Sequence, residues 1–284
     1  MTDTLFANLH VYQWWMLLIL MGSFIICPLA EGMGAVYAWI RRGKDLPPVL
    51  PVPGSLFPTR ADSAYTYIFL ALFTLLSASS LLAENPDSKE VPQFTFSMAL
   101  TNLAIYLPML VRFVLLPRRE WPPYPTRAQR WTSLFLFALL TMFVATSLNL
   151  IYEHSGLMQY IVSSTHCPEF QDVVEMIAKS DTTSRVLLII TAVVVAPVVE
   201  ECCFRGFLYN SLKRRAGMGV AMVCSSLLFA AVHTSLAQML PLTVFALLQC
   251  VLYEKTQTLC APIISHAVFN MISVITVLFF YPNI

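Results

Sequence analysis

A chain of 284 residues in which 57% are hydrophobic and only 12% charged is not an ordinary soluble domain, whose charged share is about 25%. Its mean hydropathy of +0.69 and its long apolar runs point to a polytopic, all-α membrane bundle. A spanning helix needs about 20 apolar residues and satisfies its own backbone in hydrocarbon. The net charge of +1, with Lys and Arg scattered among connections, offers no basic field, so nucleic acid is excluded as a partner.

Eight runs are predicted to span: 13–39, 65–83, 95–116, 131–151, 184–208, 218–235, 237–253 and 259–281. The first lacks a basic flank and is too long for a cleaved signal, so it reads as a retained span, with Trp14, Trp15 and Trp39 as interfacial anchors. It holds Glu31 beside Gly32 and Gly34. A carboxylate held by a neighbouring helix or lying near the interface is favoured over a site residue. The Lys and Arg excess lies in every second connection: 40–64, 117–130, 209–217 and 254–258. By the positive-inside rule these are cytoplasmic and both termini lie outside. Two of them carry proline-rich stretches, Leu46 to Pro58 and Trp121 to Pro125, which read as extended spacers.

In the outer connection 152–183, Phe170, Val173, Val174 and Ile177 share one helical face, opposite Gln171, Asp172, Glu175 and Lys179. This predicts a short amphipathic helix at the interface or over the bundle mouth, with Ser180 or Asp181 capping the fifth span. The seven cysteines show no metal-ligand spacing and read as small apolar fillers, with Cys167 alone in a polar loop. Residues 1–183 are expected to form four helices plus the amphipathic segment. Residues 184–284 are expected to form four helices carrying the polar groups, the whole being one integrated membrane domain.

Three polar clusters interrupt the apolar runs, all after residue 184: Glu200-Glu201 with Arg205, His233 after Phe229, and His266 with Asn270. Residues four apart share a helix face, so Glu201 pairs with Arg205 while Glu200, turned about 100° away, stays free. If the fifth and sixth spans form a hairpin at Ala216-Gly217, Glu200 lies as far before the turn as His233 lies after it. Both are then about 24 Å from the turn at about 1.5 Å per residue. Pro197, one turn before Glu200, is expected to kink the helix and open space there.

A carboxylate facing an imidazole in a dry site suits the activation of water, and His266 with Asn270 supplies donors for a developing oxyanion. Two alternatives use the same residues. Each is a satisfied interhelical contact of the kind that glues membrane bundles, or Glu200, His233 and His266 form a zinc site with one open position.

The pattern Glu200-Glu201-x-x-x-Arg205, Phe229-x-x-x-His233 and His266-x-x-x-Asn270, with Phe204-Arg205-Gly206 and Leu208 continuing the first motif, resembles the CPBP (Abi, or CAAX amino-terminal protease) family of intramembrane proteases. That family is similar to the Ras-converting endopeptidases, and the resemblance covers roughly residues 184–281. It implies Glu200 as the carboxylate that activates water and His233 as its partner. It further implies His266 and Asn270 as oxyanion donors, with Glu201, Arg205 and Phe229 supporting. The implied reaction is glutamate-dependent, with no cofactor and zinc as the minor variant. The expected substrate is a membrane-associated protein or peptide, of which a prenylated CAAX-like protein is one case, and membrane lipid is the other partner. The expected location is a bacterial inner membrane. A non-catalytic immunity or partner-binding protein and a transporter are the competing functions; neither the substrate nor the oligomeric state is legible.

Overall fold

The structure, a computed structural model, describes residues 11–41, 60–83, 107, 111, 128–169 and 171–280. Most of the expected third span, both proline-rich stretches and Phe170 lie outside the described residues. The elements are α1 (Val11–Arg41), α2 (Arg60–Ala83), α3 (Ala128–His154), α4 (Leu157–Thr165), α5 (Asp172–Lys179), α6 (Thr182–Ala216), α7 (Met218–Ala231), α8 (Met239–Thr256) and α9 (Cys260–Phe280). All these elements are helices, as the apolar runs predict. Four stretches, Val11–Tyr37, Phe135–His154, Thr182–Ala216 and Cys260–Phe279, are long and apolar enough to cross a membrane. Leu70–Ser79 and Met218–Ala231 are shorter apolar helices.

Helix α6 is the axis of the bundle. Every residue from Cys202 to Tyr209 is buried, Arg205 included. Its start packs on α9, its middle on α2, α7 and α8, and its end on α1, while α3 covers α8 and α9. It is not a regular helix. Thr191–Val195 and Cys202–Tyr209 are π-helical, and the first of these absorbs the disturbance expected from Pro197. The expected hairpin turns at Gly217, whose φ of 88° lies in the region glycine adopts without strain.

Helix α7 ends at Ala231, four residues earlier than the sixth run predicts. Residues 232–238 are non-helical, with Thr234 left-handed at φ 54°. Irregular backbone at membrane depth persists only where protein satisfies its polar groups. Here the Ser77 hydroxyl of α2 donates to the Val232 carbonyl at 3.1 Å, and the Tyr152 hydroxyl of α3 donates to that of Ala237 at 2.7 Å.

Glu31 is held by neighbouring helix as expected: it accepts from Ser211 and, at 2.7 Å, from Arg215 at the end of α6. Next to it, a Cβ added to Gly34 would overlap the backbone carbonyl of Arg215, whereas one added to Gly22 meets nothing within 4 Å. Gly34→Ala is therefore expected to destabilise by about 1–3 kcal/mol or more through overpacking. Gly22→Ala should stabilise by about 0.5–1 kcal/mol through lower unfolded-state entropy. Thermal unfolding of the two purified variants checks the opposite signs.

The amphipathic helix exists as α5. Ile177 is buried against Leu188, Val193 and Val274, with Val173 and Met176 packed beside it, while Glu175 and Lys179 form an exposed i,i+4 pair. Arg185 donates to the carbonyls of Ile177, Ala178 and Ser180, fastening the end of α5 to α6. Asp181 caps α6 by accepting from the amides of Thr183 and Ser184, and a hydrogen bond from the Ser184 side chain, followed by those amide bonds, holds its carboxyl below the usual range. Cys167 lies in the non-helical segment after α4, as expected of a loop residue, and is buried there because it packs against Tyr12, Met16 and Ala237. All seven thiols are free.

Candidate active site

The middle of α6, the turn after α7 and the centre of α9 bring Glu200, Glu201, Arg205, His233 and His266 together. Glu201 and Arg205 pair at 3.1 Å, with side chains 0% and 1% exposed. The guanidinium also donates to the Ala246 carbonyl of α8 at 3.0 Å and lies 4.7 Å from the centre of the Phe229 ring, a cation–π arrangement. Phe229 is the aromatic hub of the site. Its ring meets Phe204 edge-on at 5.1 Å, His233 at 4.8 Å and His266 at 5.8 Å. Phe245 closes the other side of His266 at 5.1 Å.

The hairpin arithmetic holds in three dimensions. His233 Nε2 lies 3.8 Å from Glu200 Oε2, although His233 sits in the turn beyond α7 and not on a helix. His266 Nε2 lies 3.9 Å from the same oxygen. That oxygen is buried and has no hydrogen-bond partner among the described residues, so Glu200 is the unengaged carboxylate of the pair. Glu200 and His233 retain 12% and 21% side-chain exposure, against 4% for His266 and 0% for Glu201. The first two are the less enclosed side chains of the cluster.

Hydrogen bonds fix both imidazole tautomers. His233 Nδ1 is 2.7 Å from the Phe229 carbonyl, which only accepts, so Nδ1 carries the proton. His266 Nδ1 is 2.9 Å from Glu201 Oε1, a carboxylate oxygen already paired with Arg205, so the same holds there. In the neutral rings both Nε2 atoms are then bare acceptors turned towards Glu200. Neutral His266 has no proton left for an oxyanion; it becomes a donor only as imidazolium.

Asn270 has a backbone partner that its spacing does not predict. It lies one turn along α9 from His266, and its Nδ2 donates to the Ala192 backbone carbonyl at 2.8 Å. Among the described residues no hydrogen bond joins it to Glu200, His233 or His266. Sequence reasoning also missed Ser77, Tyr152 and the Ala246 carbonyl. Periodicity along one helix carries no signal for a partner on another. No group of three or more His, Cys, Asp or Glu among the described residues is disposed to hold a metal ion.

This arrangement occupies one continuous segment of the chain. Residues 182–272 match the family described as type II CAAX prenyl endopeptidase Rce1-like. The match contains Glu200, Glu201, Arg205, Phe229, His233, His266 and Asn270, and thus all three motifs. A curated protein of Bacillus subtilis (strain 168), "Putative membrane peptidase YdiL", is 32% identical over 89 residues, which are 31% of this chain and 36% of that protein. The chain thus covers about a third of that relative's length. No solved structure matches the chain. With its long apolar helices, a chain carrying this Rce1-like segment is an integral membrane protein.

Proposed function

We propose that this protein is a membrane-embedded endopeptidase in which Glu200, assisted by His233, activates water for attack on a peptide carbonyl. The observation that supports this reading is the convergence of two bare imidazole nitrogens on the unpartnered Glu200 oxygen, at 3.8 and 3.9 Å. Three acceptors facing one another call for a species that brings protons, as water does. In the proposed step, Glu200 takes one proton from water as the water oxygen bonds to the carbonyl carbon, and the carbonyl π electrons move onto its oxygen. The proton then passes by way of an imidazole Nε2 to the leaving nitrogen as the C–N bond breaks. General base catalysis of this kind contributes about 10²–10⁴-fold. His266 serves as that relay: while it holds the proton taken by Glu200 it is an imidazolium whose charge Glu201 balances, and it donates to the oxyanion until the leaving nitrogen takes the proton.

The proposed substrate is a membrane-associated protein or peptide, with a prenylated CAAX-type tail, taken from the description of the matching family, as the first candidate. The proposed setting is a bacterial inner membrane, with the basic connections cytoplasmic and both termini outside. Trapping with Glu200→Gln in native membranes tests the reading. A captured partner that wild-type protein cleaves supports it. A Glu200→Gln strain with an unaltered cellular phenotype favours a non-catalytic binding protein instead. Because the proposed base is a carboxylate acting on water directly, cleavage is expected to persist after dialysis against a chelator. Loss of cleavage that zinc restores would move the chemistry to a metal-bound water.

A further inference from the structure

In the π-helical stretch Thr191–Val195 the Ala196 N–H bonds the Thr191 carbonyl, five residues back. The Ala192 carbonyl would by the same register accept from residue 197, which is proline and has no N–H. Its α-helical partner, the amide of Ala196, is already taken. The change of register thus moves the gap left by Pro197 from Val193, where an α-helix would put it, to Ala192. That carbonyl accepts from Asn270 Nδ2 at 2.8 Å.

We infer that Asn270 is a positioning residue. Its amide replaces the backbone donor that Pro197 lacks and so holds the irregular turn of α6 that sets the place of Glu200 relative to His266. In a membrane span a carbonyl left without a donor is costly. The bond also ties α9, which carries His266, to α6, which carries Glu200. Such a tie fixes the separation of the two reacting side chains. An oxyanion donor would act on substrate; this residue acts through Ala192. The catalytic part of the inference rests on the peptidase reading, whereas the strut itself does not.

The experiment is a double-mutant cycle of Asn270→Ala and Pro197→Ala in the purified full-length protein. Replacing Pro197 provides Ala192 with an amide, from residue 197 in π register or from residue 196 in α register. Asn270→Ala alone is expected to lower Tm by about 5 °C and to slow Glu200-dependent cleavage. In the Pro197→Ala background both losses should shrink to less than half. If Asn270→Ala alone does not accumulate as folded protein, recovery of folded yield in the double variant is the expected result. Equal losses in both backgrounds, or no recovery of yield, overturn the strut. A normal Tm with cleavage lost equally in both backgrounds identifies an oxyanion donor instead and likewise overturns it. Should wild-type protein show no Glu200-dependent cleavage, the peptidase reading fails while the Tm cycle still decides the strut.

Discussion

Glu200→Gln is expected to reduce peptide-bond cleavage by about 10³-fold or more, within the range assigned to a positioned general base and its electrostatic surroundings, while leaving Tm within about 1 °C of wild type. The asymmetry follows from its environment. Glu200 Oε2 makes no hydrogen bond among the described residues, and its contacts with His233 and His266 are longer than hydrogen bonds. The nearly isosteric amide therefore removes basicity without breaking a bond that holds the bundle. The measurement is initial rate against a trapped substrate together with unfolding of the same preparation. A variant that cleaves at an undiminished rate would end the case for Glu200 as the base. A variant that also unfolds would recast Glu200 as a structural group.

Arg205→Met is expected to act in the opposite way, on stability first. The guanidinium is 1% exposed and neutralises Glu201, donates to the Ala246 carbonyl and covers the Phe229 ring. Its removal strands a fully buried carboxylate whose remaining partner is His266. Breaking one side of a buried ion pair costs about 3–5 kcal/mol. Replacing both partners, in Arg205→Met with Glu201→Gln, should recover part of that loss, since the stranded charge is gone. Unfolding midpoints of the two singles and the double measure this. A single Arg205→Met variant as stable as wild type would show that the pair does not hold the core. Cleavage should fall in the double even where stability returns, because Glu201 no longer balances a protonated His266.

Arg205 stands four residues after Glu201, and the division of labour between the two carboxylates is legible from helical spacing alone. One carboxylate faces its arginine and the other, 100° round, is left over. The depth match of Glu200 and His233 was equally legible, because rise per residue is constant along both arms of a hairpin and the turn is marked by Gly217. The early end of α7 was less so. The apolar run continues through Val232, and the chain stops being helical there because Ser77 and Tyr152, from helices far away in sequence, satisfy the carbonyls that a broken turn exposes. The partner of Asn270 was hidden for the same reason. The spacing of Asn270 from His266 put both on one face, but the nearest demand for its amide came from a carbonyl on α6. That demand was itself written in Pro197 and became visible only with the π register.

What the sequence by itself determined is therefore the membrane class, the α6–α7 hairpin, the level of the polar groups within it and the three motifs that carry the family match. All of these depend on composition or on distance along one helix, which backbone geometry makes a function of residue number. Only the tertiary structure decided how the helices are rotated and which face which: the proton on each Nδ1, the sealing of His266 and the access left to Glu200 and His233, the clasp between Glu31 and Arg215, and the tie from Asn270 to Ala192. Those depend on side chains interlocking between helices, where a shift smaller than a hydrogen bond exchanges one partner for another, and no periodicity along the chain encodes that choice.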